Sequence, residues 1–208
     1  MMTKMIRMTG VIAGACAGAS ADVWPDISGG MVHVMIGVHE GMIHAHAEIV
    51  PGGRVELFRF PGESYSGAAA VLDETWYSSR YGWMADGFIA LGAGEGIWIE
   101  NIARDEGLGV YEGGMRSMRH MHPYDAIFGT DGSDPGDAWS GVMRHDWFAA
   151  TGFGEYDATF RITVRDARGA TVDSYGSAEV TLRFVAVPAP ASAACIGIAG
   201  LFAGRRRR

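Results

Sequence analysis

Between Met31 and Val50 apolar and polar residues alternate with a period of two on both sides of Glu40-Gly41. That period belongs to a half-buried strand, and two such runs about a short break predict a hairpin. With Glu40-Gly41 as a two-residue turn, His39 faces Met42, Gly37 faces His44, Met35 faces His46 and His33 faces Glu48. One face then carries Val32, Val34, Ile36, Val38, Ile43, Ala45, Ala47 and Ile49, all apolar. The other carries His33, Met35, His39, Met42, His44, His46 and Glu48. A slip by one residue would mix the faces and press four imidazoles against a core, so burial fixes the register. Glu-Gly is not the favoured turn pair, and a four-residue loop would keep the same parity.

A second hairpin is expected near the end of the domain. Tyr156, Ala158, Phe160, Ile162 and Val164 alternate with Asp157, Thr159, Arg161, Thr163 and Arg165. A turn at residues 166–169, a strand through Val172 and a last strand with Val180, Leu182 and Phe184 facing inward follow. Residues 54–60 and 96–103 read as further strands, with Trp76, Trp83 and Trp98 as core or edge aromatics. Residues 113–140, rich in Gly, Asp and Met, read as a long irregular excursion. Several short strands in residues 22–186 predict an all-β domain, a single antiparallel β-sandwich of Ig-like or jelly-roll-like kind.

Both ends depart from this pattern. Lys4 and Arg7 precede a short stretch of apolar and small residues, and Ala19-Ser20-Ala21 forms an A-x-A cleavage site before Asp22. Residues 1–21 therefore read as a secretory signal peptide cut after Ala21, with Ala19 at the other small position, and passage through the secretion translocon follows. At the other end Val187-Pro188-Ala189-Pro190 leads into fourteen apolar or small residues, 191–204, closed by Arg205, Arg206, Arg207 and Arg208. Fourteen residues of helix span about 21 Å, short of the ~30 Å hydrocarbon core, although arginine stems extend the reach. The terminal arginines would hold that side in the cytoplasm and leave the domain outside.

The order of proline motif, apolar helix and basic cluster over residues 187–208 resembles the PEP-CTERM sorting signal, with Ala189 where the usual motif has Glu. The resemblance implies recognition by an exosortase, transient anchoring in the membrane, and delivery to the cell surface or outer envelope with the tail removed. Exosortase systems tend to accompany exopolysaccharide production, so a cell-surface polysaccharide is an implied partner.

Charge narrows the partners. All 24 acidic residues lie between Asp22 and Glu179, and residues 22–186 oppose them with eleven Arg and no Lys, a net of −13. A nucleic-acid binder needs a clustered basic surface, and this segment is the opposite. Cys16 and Cys195 fall in the terminal segments, so residues 22–186 hold neither a disulfide framework nor a thiol nucleophile. G-x-S-x-G, H-E-x-x-H, P-loop and G-x-G-x-x-G motifs are all missing from the sequence. His145-Asp146 could form an acid–base pair, but so many carboxylates supply such pairs by chance. The expectation is a protein that is not an enzyme.

A second resemblance rests on Tyr81-Gly82-Trp83, Gly141-x3-His145-x-Trp147-Phe148, Gly154-x-Tyr156-Asp-Ala-Thr-Phe160, Asp173-Ser174 and Thr181-Leu-Arg-Phe184. Together they are similar to the choice-of-anchor M group of surface-anchored proteins. That group implies a secreted β-domain held by a C-terminal anchor, in some cases beside a metal-uptake system. Its pattern usually has a His-x-His pair before Asn-Trp; here Arg144-His145-Asp146-Trp147 keeps one His and lacks the Asn.

The candidate chemistry is transition-metal binding. His44-x-His46 projects two imidazoles from one face of a strand, spaced for one ion, and His33 and Glu48 oppose each other nearby. Met115, Met118, His120, Met121 and His122 form a second group mixing thioether and imidazole. Thioethers select Cu(I), and imidazole takes Cu(II) or Zn(II), so copper or zinc is the implied cofactor. The competing reading is a solvated polar sheet face with Met as gap filler. Convergence of His33, His44, His46 and Glu48 would favour metal; fanned rings and exposed Trp would favour a matrix or polysaccharide-associated domain. Asp131, Asp134 and Asp137 invite a calcium reading, but their spacing is not that of an EF-hand, and a solvated acidic turn fits better.

Overall fold

Glu40 and Gly41 both take positive φ, 52° and 79°, and close the first hairpin in two residues, the shorter of the two loops that the hydrophobic pattern allowed. In the computed structural model, which describes residues 25, 29–111 and 136–188, this hairpin joins β1 (Val32–His39) to β2 (Met42–Ala47). The further strands are β3 (Val55–Leu57), β4 (Trp76–Ser78), β5 (Tyr81–Ala85), β6 (Gly96–Arg104), β7 (Leu108–Tyr111) and β8 (Gly136–Trp139). They are followed by β9 (Arg144–His145), β10 (Trp147–Ala150), β11 (Gly154–Arg165) and β12 (Ser177–Ala186). The helical elements among the described residues are two short 3₁₀ segments, Gly67–Leu72 and Asp173–Tyr175. The fold is all-β.

The strands form three sheets, in the orders β2-β1-β5-β9, β4-β10-β7 and β3-β12-β11-β6-β8. Two neighbouring pairs, β1 with β5 and β12 with β3, run parallel, which corrects the purely antiparallel expectation. Local alternation gives each strand its face but not the direction of a partner many residues away. The apolar faces of all three sheets meet in one core containing Val34, Ile36, Trp83, Ile99, Phe148, Phe160, Leu182 and Phe184, each almost wholly buried. Full burial of side chains of this size contributes about 1.5–3 kcal/mol apiece before conformational entropy is counted. The other face of the β4-β10-β7 sheet is covered by the segment around Gly67–Leu72, where Tyr65, Ala69 and Leu72 pack on Tyr77 and Trp147.

The second hairpin differs from expectation in one part. Tyr156, Ala158, Phe160, Ile162 and Val164 face the core as read, and Asp166 closes the turn by accepting from the backbone N–H of Arg168 and Ala170. The partner of β11 is β12, while residues 170–176 form a single bridge at Thr171 and a 3₁₀ turn. Val172 is therefore not in a strand. Two more corrections concern edges. Ile49 is 97% exposed, because β2 ends at Ala47 and the chain turns through residues 50–53, putting Val50 inside instead. Residues 136–139, read as part of an irregular excursion, form β8 against β6.

Val187 and Pro188 are described, Val187 being 40% exposed. The signal peptide with Ala19 and Ala21, the rest of the sorting segment with Ala189, Pro190 and Arg205 to Arg208, and the Met/His group with His120 and His122 lie outside the described residues, as do Asp131 and Asp134. Among the described residues no helix is long and apolar enough to cross a membrane.

Candidate metal face

The outer face of the β2-β1-β5-β9 sheet collects most of the described imidazoles. Parallel pairing aligns His33 with Gly82 and Met35 with Met84, and antiparallel pairing aligns Gly82 with His145. One row across the sheet thus reads Glu48, His33, Gly82, His145. The next reads His46, Met35, Met84.

Glu48 locks His33 at its edge of this row. Its Oε2 accepts from the His33 backbone N–H at 2.9 Å and lies 3.0 Å from the His33 ring Nδ1. The backbone N–H of Glu48 donates in return to the His33 carbonyl at 2.9 Å. The His33 N–H first, then the His33 ring, hold the Glu48 carboxyl below its ordinary value, so it is ionised at neutral pH and draws the ring proton to Nδ1. In the neutral ring this arrangement leaves Nε2 of His33 with the lone pair.

His145 is set from the other side. Its residue is 5% exposed, and Nδ1 lies 2.9 Å from the Ser79 carbonyl, which can only accept, so Nδ1 carries the proton. The ring lies over Gly82: a Cβ built there would sit 2.6 Å from Cε1 and 2.8 Å from Nε2. Nε2 is buried and makes no hydrogen bond of good geometry, while the Tyr81 carbonyl lies close enough to the ring to raise its proton affinity. Burial lowers the proton affinity of His145, the Ser79 carbonyl and Asp146 oppose that effect, and His33 adds to it. The ring is neutral at pH 7, with an unused lone pair inside the fold.

The residue after His145 is anchored separately in the core. Asp146 is 0% exposed and sits where the chain passes from β9 in one sheet to β10 in another. Its Oδ2 accepts from Trp83 Nε1 at 2.8 Å, and its Oδ1 lies 3.3 Å from Arg144 Nε. Arg144 also pairs with Asp137 at 2.7 Å, so that carboxylate of the calcium candidate is engaged in an ion pair. Burial raises the Asp146 carboxyl above its ordinary value against the pull of Arg144 and the Trp83 N–H. His145 and Asp146 do not form an acid–base dyad, because the carboxylate faces the Trp83 indole.

His33, His44, His46 and Glu48 share one sheet face, but only His33 and Glu48 are in contact as a pair. His44 and His46 are exposed on β2. The His44 ring stands 5.6 Å from that of His39, whose Nε2 is 3.5 Å from Asp86. Among the described residues no group of three or more His, Cys, Asp or Glu is placed to hold a metal ion. Thioethers lie outside that set, and Met35 and Met84 are neighbours in the row beside His33. Met42 turns elsewhere, its terminal methyl lying against Gly176.

The sequence reading missed His145 and Gly82 as parts of this face. Tyr81-Gly82-Trp83 and Arg144-His145-Asp146-Trp147 stood out through the resemblance, and His145-Asp146 also as a chance acid–base pair, but nothing local shows that β5 and β9 extend the first hairpin. A separate cavity of about 260 Å³, lined by Phe60, Glu63, Tyr65, Asp73 and Tyr77 among others, lies near the Gly67–Leu72 segment. The Tyr65 hydroxyl donates to Glu63 at 2.6 Å there. Of the described Trp, Trp76, Trp83, Trp139 and Trp147 are buried, and Trp98 is half-buried beneath Arg165.

No protein-family model matches the chain, and no curated protein matches it.

Proposed function

We propose that this chain is an exported β-sandwich protein of the cell envelope, sorted by its PEP-CTERM-like tail, that works by binding rather than catalysis. Its ligand in this reading is a transition-metal ion, taken up through imidazole and thioether groups of the hairpin face. The single observation that carries the reading is the composition of the β2-β1-β5-β9 outer face. His46 lies in register with Met35 and Met84, His33 and His44 stand on the same sheet face, and a carboxylate already orients one of the rings. A carboxylate on the far nitrogen is the usual support of a metal-bound imidazole. The buried Trp side chains offer no row of platforms for sugar rings, which weakens the matrix reading.

The test is metal content and titration with Cu(I), Cu(II) and Zn(II) on the full chain, purified in mild detergent without a histidine tag. Near-stoichiometric binding of one ion supports the reading. Only weak binding of all three overturns it and leaves a structural or polysaccharide-associated surface protein, for which the Tyr65-Glu63 cavity is the first place to look.

A further inference from the structure

We propose that His33 and His145 bind one Cu(I) ion above Gly82, through the Nε2 atom of each ring and with a thioether from the Met35–Met84 row. This rests on the metal-binding reading above and goes further in naming the ion and the ligands, one of which lies outside the hairpin.

Four observations converge. First, both rings have their Nδ1 atoms engaged, one by the Glu48 carboxylate and one by the Ser79 carbonyl, so both offer Nε2. Second, Nε2 of His145 is buried without a partner, and a buried polar atom left so costs roughly 1–3 kcal/mol. A metal would supply that partner. Third, the residue between the two histidines in the row is glycine, and its missing side chain is what gives the His145 ring its place. A side chain at position 82 would displace the His145 ring from its place over the strand.

The fourth observation selects the ion. Zn(II) takes four ligands drawn from His, Cys, Asp and Glu in its structural sites and three of them in catalytic ones. Among the described residues no such group of three exists. Cu(I) is soft and takes thioether sulfur, and Met35 and Met84 stand two residues beyond His33 and Gly82 on the same sheet face. His44 and His46 belong to the exposed edge strand β2 and are not ligands in this arrangement.

The test uses the full chain and its His33→Gln, His145→Gln, Met35→Leu/Met84→Leu and His44→Gln/His46→Gln variants. Cu(I) affinity is measured by competition with a chromogenic Cu(I) chelator, and near-ultraviolet circular dichroism reports the fold. The expected result is one Cu(I) per chain, weakened at least about 10-fold by His33→Gln or His145→Gln and little changed by His44→Gln/His46→Gln. The Met35→Leu/Met84→Leu variant should lose the sulfur contribution to the copper X-ray absorption spectrum. Cu(I) binding that depends on His44 and His46 but not on His33 or His145 overturns this site while leaving a metal-binding protein. Zn(II) bound more tightly than Cu(I) through His33 and His145 overturns the choice of ion. Failure of the wild-type chain to bind any of the three ions overturns both this site and the reading beneath it. Should His145→Gln fail to fold, His33→Gln and the absorption spectrum of the wild type still decide: a copper shell without sulfur overturns the proposal.

Discussion

The indole Nε1 of Trp83 donates to Asp146 Oδ2 at 2.8 Å, joining β5 to the junction between β9 and β10 inside the core. Both side chains are almost wholly inaccessible, so water cannot replace either partner. Asp146→Ala would leave the Trp83 N–H unsatisfied and take from Arg144 one of its two carboxylate partners. The expected loss is about 3–5 kcal/mol, the range for breaking a buried pair by removing one member. Urea unfolding followed by tryptophan fluorescence checks it. Asp146→Asn keeps an oxygen acceptor for the indole and should cost clearly less.

The same carboxyl sets a pH dependence. Burial raises it above the ordinary 3.8, so the folded state holds its proton more tightly than the unfolded state does. The stability tied to the protonated form is complete below the ordinary value and is lost as pH rises through the folded value. The wild type should therefore lose stability relative to Asp146→Asn as pH is raised above about 4, levelling off once the folded carboxyl has ionised. Denaturation curves of the two proteins across that range read the difference directly. A constant difference would mean that Asp146 titrates like a free carboxyl.

Gly82 and Gly37 each have a histidine ring where a Cβ would go, but their surroundings differ. At Gly37 the nearest atom is Nε2 of His39, 2.9 Å away on a side chain that is 56% exposed and can swing aside. At Gly82 the obstacle is the buried His145 ring, held by Ser79. Gly82→Ala should cost about 1–3 kcal/mol, as overpacking does, and should displace the His145 Nδ1 proton resonance. Gly37→Ala should cost less than that and leave the His145 resonance unmoved. Thermal unfolding and imidazole NMR of both variants check the contrast.

The register of the first hairpin was legible because one of its faces is uniformly apolar and the other holds four imidazoles, so no alternative pairing buries well. The inward set on β11 was legible for the same reason. The misreadings fall where the period stops. Ile49 continues the alternation on paper, yet the strand has already ended at Ala47, and residues 50–53 reverse the parity. Val172 looked like a strand residue, but β12 completes the ladder with β11 from Ser177 onward. The candidate site was half legible. His33 and Glu48 are local partners across a hairpin, whereas Gly82 and His145 join them through pairings 49 and 63 positions apart in sequence, which no local pattern encodes.

Glu48 offers the sharpest test of how the His33 ring is prepared. Its carboxylate sits on Nδ1 and on the backbone N–H of the same residue, so it fixes both the proton and the orientation of the ring. Glu48→Gln keeps an oxygen acceptor and should preserve most of the Nδ1-protonated form. Glu48→Ala removes the acceptor, and the proton should then redistribute toward Nε2, the commoner position in a free neutral imidazole. Nitrogen chemical shifts of His33 would read that change without any metal present. In the presence of metal, the alanine variant should bind about 10–100-fold more weakly, the scale on which second-layer partners act. Stability should hardly move in either variant, because the pair is exposed at the Glu48 side and ion pairs there contribute little. A loss of metal affinity with unchanged stability separates a ring-orienting role for Glu48 from a merely structural one.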